Sequence, residues 1–200
     1  MPIGAKRSPE DELQDWARLQ VRAGFLDEGR MRAEVVSAIE AEMPGLDAGV
    51  LARAWLAGAA ADLRRESATW PTETDHDRLQ AVFLECEEHD VPVLQGVEDH
   101  WAAKAELDRR TADGHTPRGI AWFTAADVWH AVDEGMLEVN LWHGSTANAA
   151  PGDPLLSAVV SCFERHGLAA HFDEGRIEVF WHVRGCVCPW KRQIPLGGRA

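Results

Sequence analysis

Tyrosine is absent from this chain, and only three of its twenty basic residues are lysine. The other seventeen are arginine. With abundant alanine and glycine, that bias reflects GC-rich coding and carries no chemistry of its own. Cysteine appears four times in 200 residues. The opening MPIGAKRSPEDELQDW lacks the apolar core of a secretory signal, so the thiols do not imply a disulfide framework. No run approaches the roughly eighteen apolar residues of a membrane-spanning helix. The cytoplasm is the expected location, and no membrane is expected as a partner.

Catalytic signatures are missing as well. The sequence holds no Gly-x-Gly-x-x-Gly, phosphate-binding loop, Gly-x-Ser-x-Gly elbow or His-Glu-x-x-His. Those gaps remove the sequence support for dinucleotide, nucleotide, serine-hydrolase and zincin chemistry. Ser157 and Ser161 fall on an apolar helical face with no evident base. No catalytic residue and no cofactor is assigned. Internal repeats and low-complexity linkers are also lacking.

What is present is acid. Twenty basic against thirty-three acidic residues leave a net charge of −13. A field of that sign repels phosphate backbones, and the one basic cluster, Arg184, Lys191, Arg192 and Arg199, is too sparse to reverse it. Nucleic acid is therefore disfavoured as a partner, and the acidic surface suits solubility first, or a basic partner protein. Hydrophobic content of 46% and a mean hydropathy of −0.27 are those of an ordinary globular chain. Nine tryptophans supply large apolar surfaces, each with an N–H that needs a partner when buried.

The pattern divides near Pro71. Residues 1–9 read as a frayed N-terminus. Residues 10–70 read as purely helical. A first helix over 10–24 carries Leu13, Trp16, Leu19 and Gln20, with Gly24 as its stop. A second over 29–43 carries Val35, Val36, Ile39 and Met43, and Pro44-Gly45 ends it. Asp47 then caps a third helix whose inward face is Val50, Leu51, Ala54 and Trp55, with Gly58 next in register.

Beyond Pro71 the expected order is α-β-α-β-α-β-α-β-β. Leu79, Val82, Phe83 and Cys86 mark the first of these helices. Cys86 and Cys162 fall on apolar helical faces, the usual setting of a buried free thiol. Thr124 with Asp127 predicts a capping box. Residues 136–143 alternate as a half-buried strand, Asp153-Pro154 begins a helix, and Asp173-Glu174-Gly175 makes a tight hairpin. The fold class is α+β: the helical segment 10–70 packed on a mixed sheet of about five strands with flanking helices, residues 71–184, followed by a loose tail over 185–200.

Three groups of residues invite a site. Trp70, Asp75, His76, Asp77 and Arg78 crowd the junction between the halves. Thr74 as N-cap, with Asp75 and Asp77 in the first turn, explains the acids, and His76 and Arg78 are expected to face solvent or pair with them. A functional reading makes His76 a proton donor or ligand oriented by a neighbouring carboxylate. Trp122, Trp129, His130, Trp142 and His143 form a second group on elements that must be neighbours. It reads either as packed core or as a pocket for a planar or cationic ligand. His171, His182, Cys186 and Cys188 form a third. A lone Cys-x-Cys falls short of the paired ligand knuckles of a structural zinc site, so no metal site is assigned.

The segment Trp70-Pro71…Thr74-Asp75-His76-Asp77-Arg78-Leu79…Phe83 resembles the junction motif of an actinobacterial family of domains of unknown function. So do Val21-Arg22-Ala23-Gly24-Phe25, Gly119-Ile120…Phe123…Asp127…Ala131-Val132…Gly135…Leu137, and Gly167-Leu168…Arg176-Ile177…Val179. The resemblance brings no activity with it. It implies a cysteine near the position of His76 and a cysteine cluster where this chain has Val97-Glu98-Asp99-His100-Trp101. A thiol or metal site at those positions would leave His76 and His100 as the stand-in ligands.

The reading that fits these observations is a non-enzymatic acidic binding or regulatory module acting through a protein partner. One alternative is a small-molecule or metal-dependent enzyme using the Trp70–Arg78 junction with His100 or His143. Another is an immunity-type neutraliser of a basic toxin, which rests on the same acidic surface.

Overall fold

The computed structural model describes residues 7–180. These divide into two compact units, with the boundary in the chain between Trp70 and Pro71. The protein is α+β, with seven helices and a mixed five-stranded sheet among the described residues.

The first unit is three helices, α1 (Pro9–Ala23), α2 (Glu28–Glu42) and α3 (Ala48–Ser67). Each begins on a side chain that satisfies an otherwise unpaired backbone N–H: Ser8, Asp27 and Asp47 accept from Asp11, Arg30 and Val50. Ser8 and Asp11 close a full capping box, with Pro9 at the first helical position. Residue 9, expected in the frayed terminus, is therefore helical. Gly24 ends α1 in the left-handed region at φ 65°.

The core of this unit is Ala17, Val35, Ile39, Ala48 and Ala52, with Trp16, Leu51 and Trp55 packed around it. The buried face of α3 differs from the expected one. Val50, placed inward by its periodicity, is 56% exposed, while Ala48 and Ala52 are buried. The small Ala48 and Ala52 face the core of the unit, and the larger Val50 is turned outward.

The second unit runs α4 (Asp75–Glu88), β1 (Val93–Val97), α5 (His100–Ala112), β2 (Gly119–Thr124), α6 (Ala125–Glu134), β3 (Met136–His143), α7 (Pro154–Arg165), β4 (Ala169–Asp173) and β5 (Arg176–Phe180). That is the element order the sequence predicts. In the sheet the strands lie β1-β2-β3-β5-β4. β1 is parallel to β2, and the other pairs are antiparallel.

The central strand β2 is buried on both faces. Ile120 and Trp122 join Ala103 and Leu107 of α5 in one core cluster. Phe123, on the opposite face by the two-residue period of a strand, meets Phe83 of α4 at 5.7 Å between ring centroids. In β3 the alternation is as expected, with Leu137, Val139 and Leu141 buried. The Glu174-Gly175 turn joins β4 to β5 with both residues at positive φ, 43° and 94°. At Gly144, just after β3, a Cβ would lie 2.0 Å from the Pro117 carbonyl oxygen, so only glycine fits.

Asp153 and Pro154 start α7 as expected, as N-cap and first helical residue. Asp153 makes no side-chain cap bond. Its Oδ2 instead accepts from the Ala150 N–H at 2.7 Å and lies 3.0 Å from His143 Nε2. One carboxylate oxygen thus organises the loop between β3 and α7.

Candidate functional site

The junction residues are largely used in building the start of α4. Thr74 and Asp77 form a reciprocal capping box: Thr74 N–H donates to Asp77 Oδ2 at 2.8 Å, and Asp77 N–H donates to Thr74 Oγ1 at 3.3 Å. Arg78 pairs with Glu73 at 3.3 Å and Asp75 at 3.4 Å, as expected. His76 does not face solvent. It is 5% exposed, its Nε2 lies 3.3 Å from Gln80 Nε2, and Gln80 exchanges two amide bonds of 3.0 Å with Gln95 on β1. Through Gln80 the imidazole is linked to β1. Asp75 is 4% exposed, and its Oδ2 has no hydrogen-bond partner among the described residues. Trp70 belongs to the helical unit, where its backbone N–H donates to the Ser67 carbonyl.

The other nominated residues have different surroundings. His100, the first residue of α5, lies 4.7 Å from the Trp101 ring and 6.0 Å from that of Trp142. Trp142 packs edge-on against Trp122 at 4.4 Å, and its Nε1 donates to Asn148 Oδ1 at 2.5 Å. This group borders the α5-side core and ends at the exposed Trp101. His143 pairs with Asp153, whose carboxyl is held below its ordinary range by the His143 hydrogen bond and the Ala150 N–H. His76, His100 and His143 therefore have three different sets of partners. His171 pairs with Glu178 at 3.0 Å and stacks on Phe180. His182, Cys186 and Cys188 lie outside the described residues.

Two constellations carry no nomination from the sequence. The first lies where α4 and α7 pack together. Arg165 places Nη2 and Nε on Glu85 Oε1 at 2.5 and 2.8 Å, and His166 Nε2 lies 3.0 Å from Glu85 Oε2. His89 Nε2 lies 3.7 Å from the same carboxylate, and ligand atoms of Glu85, His89 and Cys162 fall within 4.8 Å of one another. The Arg165 hydrogen bond holds the Glu85 carboxyl below its usual range. Burial pushes the Cys86 and Cys162 thiols up, and the two sulfurs are neighbours. A usable signal existed in the paired i, i+4 spacings Glu85/His89 and Cys162/His166. What the sequence did not supply was that the two helices are partners.

The second is a cleft of about 610 Å³ in the helical unit, floored by Met31, Leu56 and Leu63 and bordered by arginines. Arg22 pairs with Glu66 at 2.5 Å. Arg32, Arg53 and Arg64 have no acid partner among the described residues.

No helix among the described residues is long and apolar enough to cross a membrane. No curated protein matches the chain, and no solved structure does. A family described as a domain of unknown function, DUF6891, matches residues 6–185. With nine-tenths of its length inside that match, the chain belongs to the DUF6891 family.

Proposed function

We propose that this protein is a non-enzymatic binding module that works in the cytoplasm by docking a basic protein partner on its sheet unit. The observation that carries this reading is where the uncompensated charge lies. Residues 71–180 hold seven basic against twenty-one acidic residues, a net −14, whereas residues 7–70 hold eight against twelve, a net −4. In the sheet unit almost every base is already neutralised. Arg78, Lys104, Arg109, Arg110, Arg165 and Arg176 all pair with acids. Glu87, Glu88, Glu98, Glu134, Glu164 and Glu174 are exposed and have no basic partner among the described residues.

A surface of that kind accelerates encounter with a cation-rich partner and makes the association sensitive to salt. The tagged full chain is therefore expected to retain a basic protein from host lysate at low salt and release it at moderate salt. Reversing Glu87, Glu88, Glu164 and Glu174 to lysine abolishes retention. Equal retention by the reversed variant overturns the reading. Neutralisation of a basic toxin is the special case in which the retained partner is itself toxic.

A second reading, a small-molecule or metal-dependent enzyme at the junction, is favoured by one observation. A carboxylate oxygen of Asp75 is buried without a hydrogen bond among the described residues, beside Arg78. Buried, incompletely satisfied charge is maintained at a cost and is a recurrent feature of ligand sites. Asp75→Asn distinguishes the two readings. It leaves partner retention intact under the docking reading, and it removes turnover or ligand uptake under the enzyme reading.

A further inference from the structure

We propose that Glu85 and His89 of α4, with Cys162 and His166 of α7, form a binding site for one zinc ion that pins the two helices together. The spacing has a geometric basis. Residues four apart on a helix lie on one face, one turn above the other, so each helix offers two donors to the seam between them. Three of the four donor sets already lie within 4.8 Å of one another, and His166 Nε2 reaches Glu85 Oε2 at 3.0 Å. Tetrahedral zinc with bonds of about 2.0–2.3 Å needs its donors about 3.4–3.8 Å apart. Closing that difference takes a rotamer change at the half-exposed His89 and a shift of His166, which lies beside Glu85 but outside the group of three.

The electrostatics agree. His89 and His166 are the C-cap residues of α4 and α7, so both helices direct their negative ends at this point. Two imidazoles, a thiolate and a carboxylate are zinc ligands and a poor set for calcium or magnesium. Four protein donors with no open position describe a structural site rather than a catalytic one.

Arg165 now supplies the positive charge that Glu85 requires, and it also donates to Cys162 Sγ at 3.3 Å. Its guanidinium is half exposed and can swing into solvent when a divalent ion takes its place. The competing reading is a hydrogen-bonded staple without metal. His89 separates the two. At 3.7 Å from Glu85 and 47% exposed, it adds little to a staple but is a full ligand of the ion.

Binding requires Cys162 to lose its proton, so zinc uptake releases a proton and strengthens as pH rises.

The test uses the full chain carrying Cys186→Ser and Cys188→Ser, stripped of metal, so that the tail thiols cannot contribute. Zinc is titrated against a chromophoric chelator, and cobalt(II) serves as a spectroscopic probe. The expected result is one zinc per chain, a thiolate-to-cobalt charge-transfer band, and a higher Tm with metal than without. His89→Ala is expected to weaken zinc binding by more than about 100-fold, since loss of even an outer-shell partner costs 10–100-fold, while leaving the metal-free Tm unchanged. Arg165→Gln is expected to tighten it. The proposal is overturned if the double-serine protein takes up no stoichiometric zinc, if cobalt shows no thiolate band, or if His89→Ala binds as tightly as its parent.

Discussion

Arg165 on α7 converges two guanidinium nitrogens on a single oxygen of Glu85 on α4, at 2.5 and 2.8 Å, across eighty residues of chain. The other carboxylate oxygen is thereby left to His166. Charge-assisted bonds of this kind are roughly twice as strong as neutral ones. Here they fall where two helices that flank one sheet must be held in register. The carboxylate is less than a quarter exposed while Arg165 is half exposed, so the pair is only partly shielded from solvent.

Glu85→Gln is expected to lower stability by about 1–2 kcal/mol at neutral pH, because it weakens bonds to both Arg165 and His166. The pH dependence has a definite sign. The folded-state pKa of Glu85 is depressed, so its stabilisation is present above the unfolded carboxyl value of about 4.3 and is lost as pH falls through the lower folded value. Denaturant melts of the two proteins should therefore differ at pH 7 and converge in strong acid. A difference that stays constant with pH would remove Glu85 from the acid-labile set.

The capping boxes give a second expectation. Thr74→Ala and Thr124→Ala each lose the acceptor for an N3 backbone N–H and are expected to cost about 1 kcal/mol, read as a fall in Tm. Thr74→Ser should restore most of the loss, since the hydroxyl is what the cap uses. If Thr74→Ser is as destabilising as Thr74→Ala, the hydroxyl is not the stabilising group.

The orientation of α3 yields a third. Val50 is exposed and Ala52 fully buried. Val50→Ser should therefore change stability by less than about 0.5 kcal/mol, whereas Ala52→Leu overpacks the three-helix core and should cost about 1–3 kcal/mol. The periodicity of the sequence alone would rank these two variants the other way round.

That contrast shows where the sequence was legible. Periodicity, caps and turn residues act locally, so the element order after Pro71, the Thr124–Asp127 box and the alternation of β3 could all be read from neighbouring residues. The rotation of α3 could not, because alanines at 48 and 52 look weakly apolar until a second helix presses against them. Asp153 is the N-cap that Asp153-Pro154 announces, but the use of its side chain is not legible. Its carboxylate bonds His143, ten residues away, through a loop whose path no local signal fixes. The same limit hid the α4–α7 cluster. Each helix showed a pair of polar donors at i, i+4, and only the packing of the sheet unit brings the pairs together. At the junction, Thr74 as the cap and Asp75 and Asp77 as first-turn acids are legible from neighbouring residues. Of the two settings expected for His76, solvent or an acid partner, the first does not hold: the ring is buried beside Gln80, itself engaged by a strand residue, Gln95.

The charge distribution gives a fourth expectation, and it is the one on which the functional reading depends. The decisive measurement is partner retention by the tagged full chain as a function of salt, beside the variant with Glu87, Glu88, Glu164 and Glu174 reversed to lysine. The docking reading predicts a basic protein held at low salt, released at moderate salt, and absent from the reversed variant. Retention that is indifferent to salt and to the four reversals, or no retained basic protein at either salt, would contradict it.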